Sequence, residues 1–157
     1  MTVVGHLNKI MKSLFIFYSY TGNGKLVAKE LEKQGVEIRE VISKRKMPKS
    51  FFFGVLTGGF LASIHAKDKL INFDTNIEGF DHIIIGSPIW NARFSSPINR
   101  VLHDLNLKDK KLTFILYAGS GEGKKAESRI NKDYPGSKII FLKEPKKFPE
   151  ELKKLKI

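Results

Sequence analysis

The stretch Leu14-Phe15-Ile16-Phe17-Tyr18-Ser19-Tyr20-Thr21-Gly22-Asn23-Gly24-Lys25 decides how the rest of the chain is read. A continuously apolar run stops in a loop of hydroxyls, glycines and an amide, and an amphipathic pattern follows at once. A strand that feeds a helix through such a turn aims several backbone N–H groups, and the helix dipole, at one point. That point suits a phosphate. Further along, Ile83-Ile84-Ile85-Gly86-Ser87-Pro88-Ile89-Trp90 is a second apolar run with a different ending. A large flat indole emerges where a buried strand ends, and a flat ligand can stack there. Phosphate at one loop and a ring system at the other describe a nucleotide-like ligand.

Working outward, strand and helix patterns alternate. Strands are expected over 13–18, 36–41, 82–86, 112–117 and 139–142. The first, third and fourth are unbroken apolar runs, as in parallel strands covered on both faces. The second alternates with Glu37, Arg39 and Glu40 and reads as an edge. A helix over 24–34 turns Val27 and Leu31 inward, with Gly35 as its C-terminal cap. The clearest helix covers 97–105: Ser96 caps it, Pro97 suits its first turn, and Ile98, Val101, Leu102 and Leu105 make one stripe. A weaker helix follows Gly123, and a short one starts at Pro149 with acids first and lysines last. The stretch 42–81 is the least regular: basic at Lys44, Arg45, Lys46 and Lys49, then rich in phenylalanine and glycine. One helix and a long loop are expected there. Phe51, Phe52 and Phe53 read either as a partner- or membrane-touching patch or as part of a helix packed on the sheet, and packing is the expectation.

This alternation implies a doubly wound α/β fold, because right-handed crossovers place helices on both faces of a parallel sheet. With strand order 2-1-3-4-5, the winding reverses between the first and third strands, and ligands bind beyond the carboxyl ends at that switch. Those two strands carry the two informative loops.

Composition narrows the class. The 157 residues, 41% hydrophobic and 28% charged, suffice for one domain with a real core. Residues 1–12 read as an N-terminal extension and 13–157 as the domain. The lack of cysteine excludes disulfides, thiolate metal sites and iron–sulfur clusters, and leads to the expectation of a cytoplasmic protein. No apolar run reaches the eighteen or so residues of a membrane span; the nearest, 51–64, is broken by Gly54, Thr57, Gly58, Gly59 and Ser63. The net charge of +12 invites a nucleic-acid reading. Against it, only five of the 28 basic residues are arginine, the lysines are scattered, and no nucleic-acid-binding signature is present. No specific nucleic-acid partner is expected.

Ser19-Tyr20-Thr21-Gly22-Asn23 resembles the phosphate loop of the flavodoxin family, usually Ser/Thr-x-Thr-Gly-Asn-Thr. Gly86-Ser87-Pro88-Ile89-Trp90 with Ser96-Pro97-Ile98 is similar to the second flavin-contact segment of short flavodoxin-like proteins. Tyr117-Ala118-Gly119-Ser120-Gly121-Glu122-Gly123 resembles their third, glycine-rich loop. Flavodoxin is itself the standard illustration of the switch-point rule above. The resemblance runs in order through most of the chain and implies a flavodoxin-like five-stranded sheet with FMN as cofactor. On it, Ser19 and Thr21, with the N–H groups of Gly22, Asn23 and Gly24, hold the 5′-phosphate. Pro88, Ile89, Trp90 and Asn91 line the isoalloxazine. Ala118, Gly119, Ser120 and Gly121 bring backbone close to its pyrimidine side. One departure stands out: Gly24 replaces the motif's final threonine and removes a hydroxyl, and Lys25 after it either compensates with charge or points to solvent.

The resemblance implies electron transfer with a redox partner, an acidic one given this chain's charge. The alternatives are an FMN-dependent NAD(P)H:quinone-type oxidoreductase, and a basic binding module without flavin. Rival chemistries fail on spacing. A P-loop needs Gly-x-x-x-x-Gly-Lys-Ser/Thr, whereas Gly24-Lys25 has Ser19 and Leu26 at the outer positions, and Gly123-Lys124 has Ala118 and Lys125. A hydrolase elbow at Ser120 is flanked by Ala118 and Glu122 instead of glycines. His6, His65 and His82 lack metal-ligand spacing, and His103-Asp104 reads as a surface pair on a helix. No side chain reads as a catalytic acid, base or nucleophile.

Overall fold

A computed structural model of the chain describes residues 10–157, so the expected N-terminal extension lies mostly outside the described residues. The alternation read from the sequence becomes β1 (Ser13–Phe17), α1 (Asn23–Lys33), β2 (Glu37–Glu40), α2 (Phe51–Ser63), β3 (His82–Trp90), β4 (Arg93–Phe94), α3 (Ser96–Asp104), β5 (Lys111–Ala118), α4 (Lys124–Asp133), β6 (Lys138–Lys143) and a closing 3-10 turn, Pro149–Lys154. Five strands run parallel in the order β2-β1-β3-β5-β6, which is the expected 2-1-3-4-5 winding. The sixth was not foreseen: β4 folds back antiparallel on the end of β3, pairing Ile89 with Phe94 and Trp90 with Arg93. It extends β3 past Gly86, so the sheet itself carries Trp90.

Unbroken apolar strands serve two cores because successive side chains leave opposite faces. Leu14, Ile16, Ile83, Ile85, Phe114 and Leu116 meet Ile98, Val101 and Ile130 from α3 and α4 on one face. Phe15, Phe17, Ile84 and Ile115 meet Val27, Ala28 and Leu31 of α1, and Leu155 after the 3-10 turn, on the other. Local signals work as read at Gly35, whose φ of +82° ends α1. At α3 the cap shifts by one residue. Ser95, not Ser96, occupies the N-cap, while the Ser96 hydroxyl is buried without a hydrogen-bond partner.

The expected packing helix in 42–81 exists as α2, but its orientation differs from expectation. Its inward side is made of small and aliphatic residues: Gly54 and Gly58, with Leu61 and Ala62 buried. Phe52, Phe53, Leu56, Phe60 and Ile64 face outward. The reason is space. A side-chain carbon at Gly58 would lie 2.7 Å from Trp90 Cδ2, and one at Gly54 would overlap the Tyr20 ring, so only glycine lets the helix approach these aromatics.

At the amino end of the sheet, buried His82 bridges the Ser13 hydroxyl (3.2 Å) and the Thr113 hydroxyl (2.8 Å). Burial, followed by the cations of Lys111 and Lys138, lowers its pKa to about 4. The unfolded chain therefore takes up the proton first, near the ordinary value of 6.5. Stability from neutral His82 is complete above that value and is lost as pH falls towards 4. From pH 7 to pH 5 this group should cost the native state about 2 kcal/mol. Urea unfolding at both pH values measures the loss, and His82→Gln should remove that part of it; an equal loss in the variant would assign it to other groups.

Candidate cofactor site

The carboxyl ends of β1, β3, β5 and β6 open on a cleft of about 280 Å³. Its walls are Tyr20, Thr21 and Asn23 from the first loop, Pro88 to Asn91 from the end of β3, Tyr117, Ala118 and Gly119 from the end of β5, and Glu144 after β6. It lies at the winding switch, as the fold rule requires.

The first loop is shaped by Gly22 and Gly24. Gly22 has φ +100° and starts α1, whose first turn carries neither a side-chain cap nor an acidic residue. The positive end of the helix dipole is thus left for an anion. Gly24 donates its N–H to the Ser19 hydroxyl at 3.1 Å, which braces the loop. The Asn23 amide donates to Thr21 Oγ1 at 3.3 Å and accepts from the Lys146 N–H at 2.9 Å. The Lys146 ammonium reaches the Thr21 carbonyl at 3.3 Å.

The departure at position 24 has a tertiary cause. A side-chain carbon there would stand 2.6 Å from the Tyr117 hydroxyl, 2.9 Å from the Phe17 ring and 3.0 Å from Ser19 Cβ. The buried Tyr117 hydroxyl donates to the Tyr18 carbonyl directly beneath the loop. Burial, followed by Tyr18 and Glu40, pushes that phenol far above its ordinary pKa, so it keeps its proton. The space a threonine would need is already filled by a hydroxyl.

Trp90 forms the second wall. Its indole meets Tyr18 at 5.9 Å and Tyr20 at 6.2 Å, both edge to face. A side-chain carbon at Gly58 would lie 2.7 Å from Trp90 Cδ2 and 3.0 Å from both Cε2 and Cε3, which places α2 against the indole. Tyr20 is fixed by a 2.7 Å hydrogen bond to the Pro48 carbonyl, and Asn91 donates to the Ser63 hydroxyl at 2.5 Å. The aromatic wall is therefore rigid on its α2 side.

Of the residues read from the sequence, Thr21, Asn23, Pro88, Ile89, Trp90, Asn91, Ala118 and Gly119 come together around the cleft. Ser19, Gly22 and Gly24 shape the adjoining loop. Lys25 does not join them; it points towards Glu40 on β2, 3.9 Å away. Ser120 lines a neighbouring hollow of about 470 Å³ instead, with Lys124 and Lys125. Gly121 makes the turn, with φ +73° and its N–H donated to the Ala118 carbonyl. Tyr20, Tyr117, Glu144 and Lys146 were missed. For Glu144 and Lys146 a signal existed: every parallel strand of such a sheet ends at the same edge, so the loop after β6 had to arrive there.

The family model for NADPH-dependent FMN reductases matches residues 20–145. The chain belongs to that family. No curated protein matches the sequence. Among solved structures, the chain is similar to a candidate flavoprotein from Bacteroides eggerthii, at TM-score 0.71 and 18% identity over 83% of this chain and 85% of that one. It is also similar to a Lactobacillus acidophilus flavoprotein solved with FMN, at TM-score 0.63 and 21% identity over 90% and 98%. A flavodoxin from the domain Archaea matches at TM-score 0.51 and 14% identity over 91% and 92%. At such identities these likenesses carry the fold, and the family carries the cofactor.

FMN is the cofactor, and the residues of this cleft fit it. The uncapped helix start, the left-handed Gly22 and the Lys146 ammonium suit a phosphate dianion. The cleft, lined by Trp90 and by side-chain-poor Ala118 and Gly119, suits a planar ring system.

Proposed function

We propose that this chain is an NAD(P)H-linked FMN oxidoreductase, holding FMN non-covalently between the 19–24 loop and the Trp90 wall. When bound, the flavin supplies the redox chemistry by accepting a hydride and passing electrons on. The protein's residues bind and orient. Thr21, Asn23 and Lys146 hold the phosphate, Tyr18 and Tyr20 brace the indole, and the 118–119 backbone keeps the ring edge accessible. Burial, with Asp68 and Tyr20 nearby, pushes the Tyr18 phenol up to about 12, so it stays neutral behind the indole.

The observation that favours a reductase is the lysine-bearing hollow lined by Lys124 and Lys125, which shares Ile89, Asn91, Ala118 and Gly119 with the cleft. An anionic co-substrate such as NADPH would find cations beside the exposed edge of the ring. The second reading, a carrier docking on an acidic redox protein, is favoured by the net charge of +12.

The test begins with binding. Trp90 is the only tryptophan, so its emission should fall steeply as FMN saturates the cleft, and Trp90→Ala should weaken FMN by about 1–2 kcal/mol. Unchanged emission at saturation would place the flavin elsewhere. The FMN-loaded protein is then mixed with NADPH and a quinone under anaerobic conditions. Repeated NADPH consumption supports the reductase; no consumption, with reduction in two resolved one-electron steps on potentiometric titration, supports the carrier.

A further inference from the structure

Helix α2 is inverted relative to an ordinary surface helix. Phe52, Phe53, Leu56, Phe60 and Ile64 are each between 55% and 66% exposed, while the helix rests on the protein through Gly54, Gly58, Leu61 and Ala62. Phe51–Ser63 contains no charged residue, and 52, 56, 60 and 64 fall on one line at i, i+4 spacing. Bulky apolar side chains are held in water although the same helix packs glycine inward. Such a face needs an occupant.

The charges at its ends identify one. Exposed Lys44, Lys46 and Lys49 precede the helix, and exposed Lys67 and Lys69 follow it. Between Ile42 and Leu70 the sole carboxylate is Asp68, which is buried and bonded by Arg45 at 2.8 Å and by the Ser43 hydroxyl. The face is thus an apolar ridge with lysines at both ends and no exposed acid within its segment. Two copies pairing across this face, whether parallel or antiparallel, would bring cationic ends together, against a net charge of +12 on each. A protein partner is less suited, because the face offers neither tryptophan, tyrosine nor arginine, the residues that dominate protein hot spots. Its one nearby guanidinium, Arg45, is committed to Asp68. Lysine point charges beside phenylalanine and leucine match a layer of lipid phosphates above acyl chains.

We propose that α2 docks this protein on the surface of an anionic phospholipid membrane, with the phenyl and aliphatic groups in the headgroup–acyl boundary and the flanking lysines on phosphates. The proposal does not depend on FMN. It complements the finding that no helix among the described residues is long and apolar enough to cross a membrane, because a surface helix need not span. As Tyr20 and Trp90 lie against the inner side of α2, a docked molecule would hold its cleft beside the lipid surface.

Flotation of the full chain with vesicles tests this. Vesicles of phosphatidylglycerol mixed with phosphatidylcholine should carry the protein at about 0.1 M salt, and pure phosphatidylcholine vesicles should carry at least about tenfold less. Phe52→Ser with Phe60→Ser, and separately Lys46→Glu with Lys49→Glu, should each weaken binding about tenfold or more. All four side chains are exposed, so far-UV dichroism should be unchanged. The comparison of lipids on the wild type stands even where a variant fails to fold. Absence of binding to the anionic vesicles overturns the proposal. So does binding that the phenylalanine variant leaves intact. Lipid-free dimerisation that the same variant abolishes would also overturn it, by assigning the face to a second copy.

Discussion

Thr21→Ala combined with Asn23→Ala should raise the FMN dissociation constant about 30- to 1,000-fold, equivalent to about 2–4 kcal/mol, with little change in folding stability. Thr21 lies on the loop ahead of α1, Asn23 opens the helix, and neither is buried, so their removal leaves no cavity in the core. Two effects combine at the ligand. The hydroxyl and amide donors to an anion disappear, and Asn23 no longer holds the Lys146 N–H, which frees the 144–148 loop to carry its ammonium away. Riboflavin, lacking the phosphate, should bind the wild type far more weakly than FMN does, and the double variant should shrink that gap. Fluorescence titration with both flavins measures it. Equal affinity of the wild type for the two would show that the loop holds no phosphate.

The second large effect is on the fold. Gly24→Thr restores the residue usual at this position in flavodoxin-type loops, and it should destabilise the protein by about 3 kcal/mol. The new Cβ would collide with the Tyr117 hydroxyl and the Phe17 ring, and both neighbours belong to strands buried on each side. Neither can swing away. Tyr117→Phe removes one of the colliding atoms but also deprives the buried Tyr18 carbonyl of its donor, costing about 1–2 kcal/mol alone. Because the two changes share one space, they should be non-additive: the double variant should recover about 1 kcal/mol or more relative to the sum. Urea unfolding of the four proteins gives the cycle. A Gly24→Thr protein as stable as the wild type would mean that the loop has room that its neighbours deny.

The expectations that held rest on short-range regularities. The unbroken apolar runs Leu14 to Phe17 and Ile83 to Ile85 predicted strands covered on both faces, and the two cores divide those side chains between them. The stripe on α3 and the glycine ending α1 are local too, and both lie within two residues of their expected places. The turn between β1 and α1 was legible because positive φ at Gly22 and an uncapped helix start are properties of a few adjacent residues. The one-handedness of crossovers placed helices on both faces, a constraint that acts through sequential units, while the 2-1-3-4-5 order came with the family resemblance.

What the sequence could not disclose lies between strands that meet only when the sheet forms. Parallel strands all end at the same edge of the sheet, which gathers chain segments remote in sequence there. In this way Tyr117 closes the space at Gly24, and the loop after β6 delivers Lys146 to Asn23. The direction of Lys25, left open between the phosphate loop and solvent, was undecided for the same reason: on the first turn of α1 it falls beside Glu40 of β2, and adjacency in sequence does not fix a helical side chain's direction. The outward phenylalanines of α2 are the strongest case. Composition marked the segment as apolar and suited to burial, but which side turns inward depends on the shape it must fit. The rings of Tyr20 and Trp90 leave clearance for glycine alone, so the sequence by itself made a helix there, and only the tertiary structure decided that its large apolar face meets solvent.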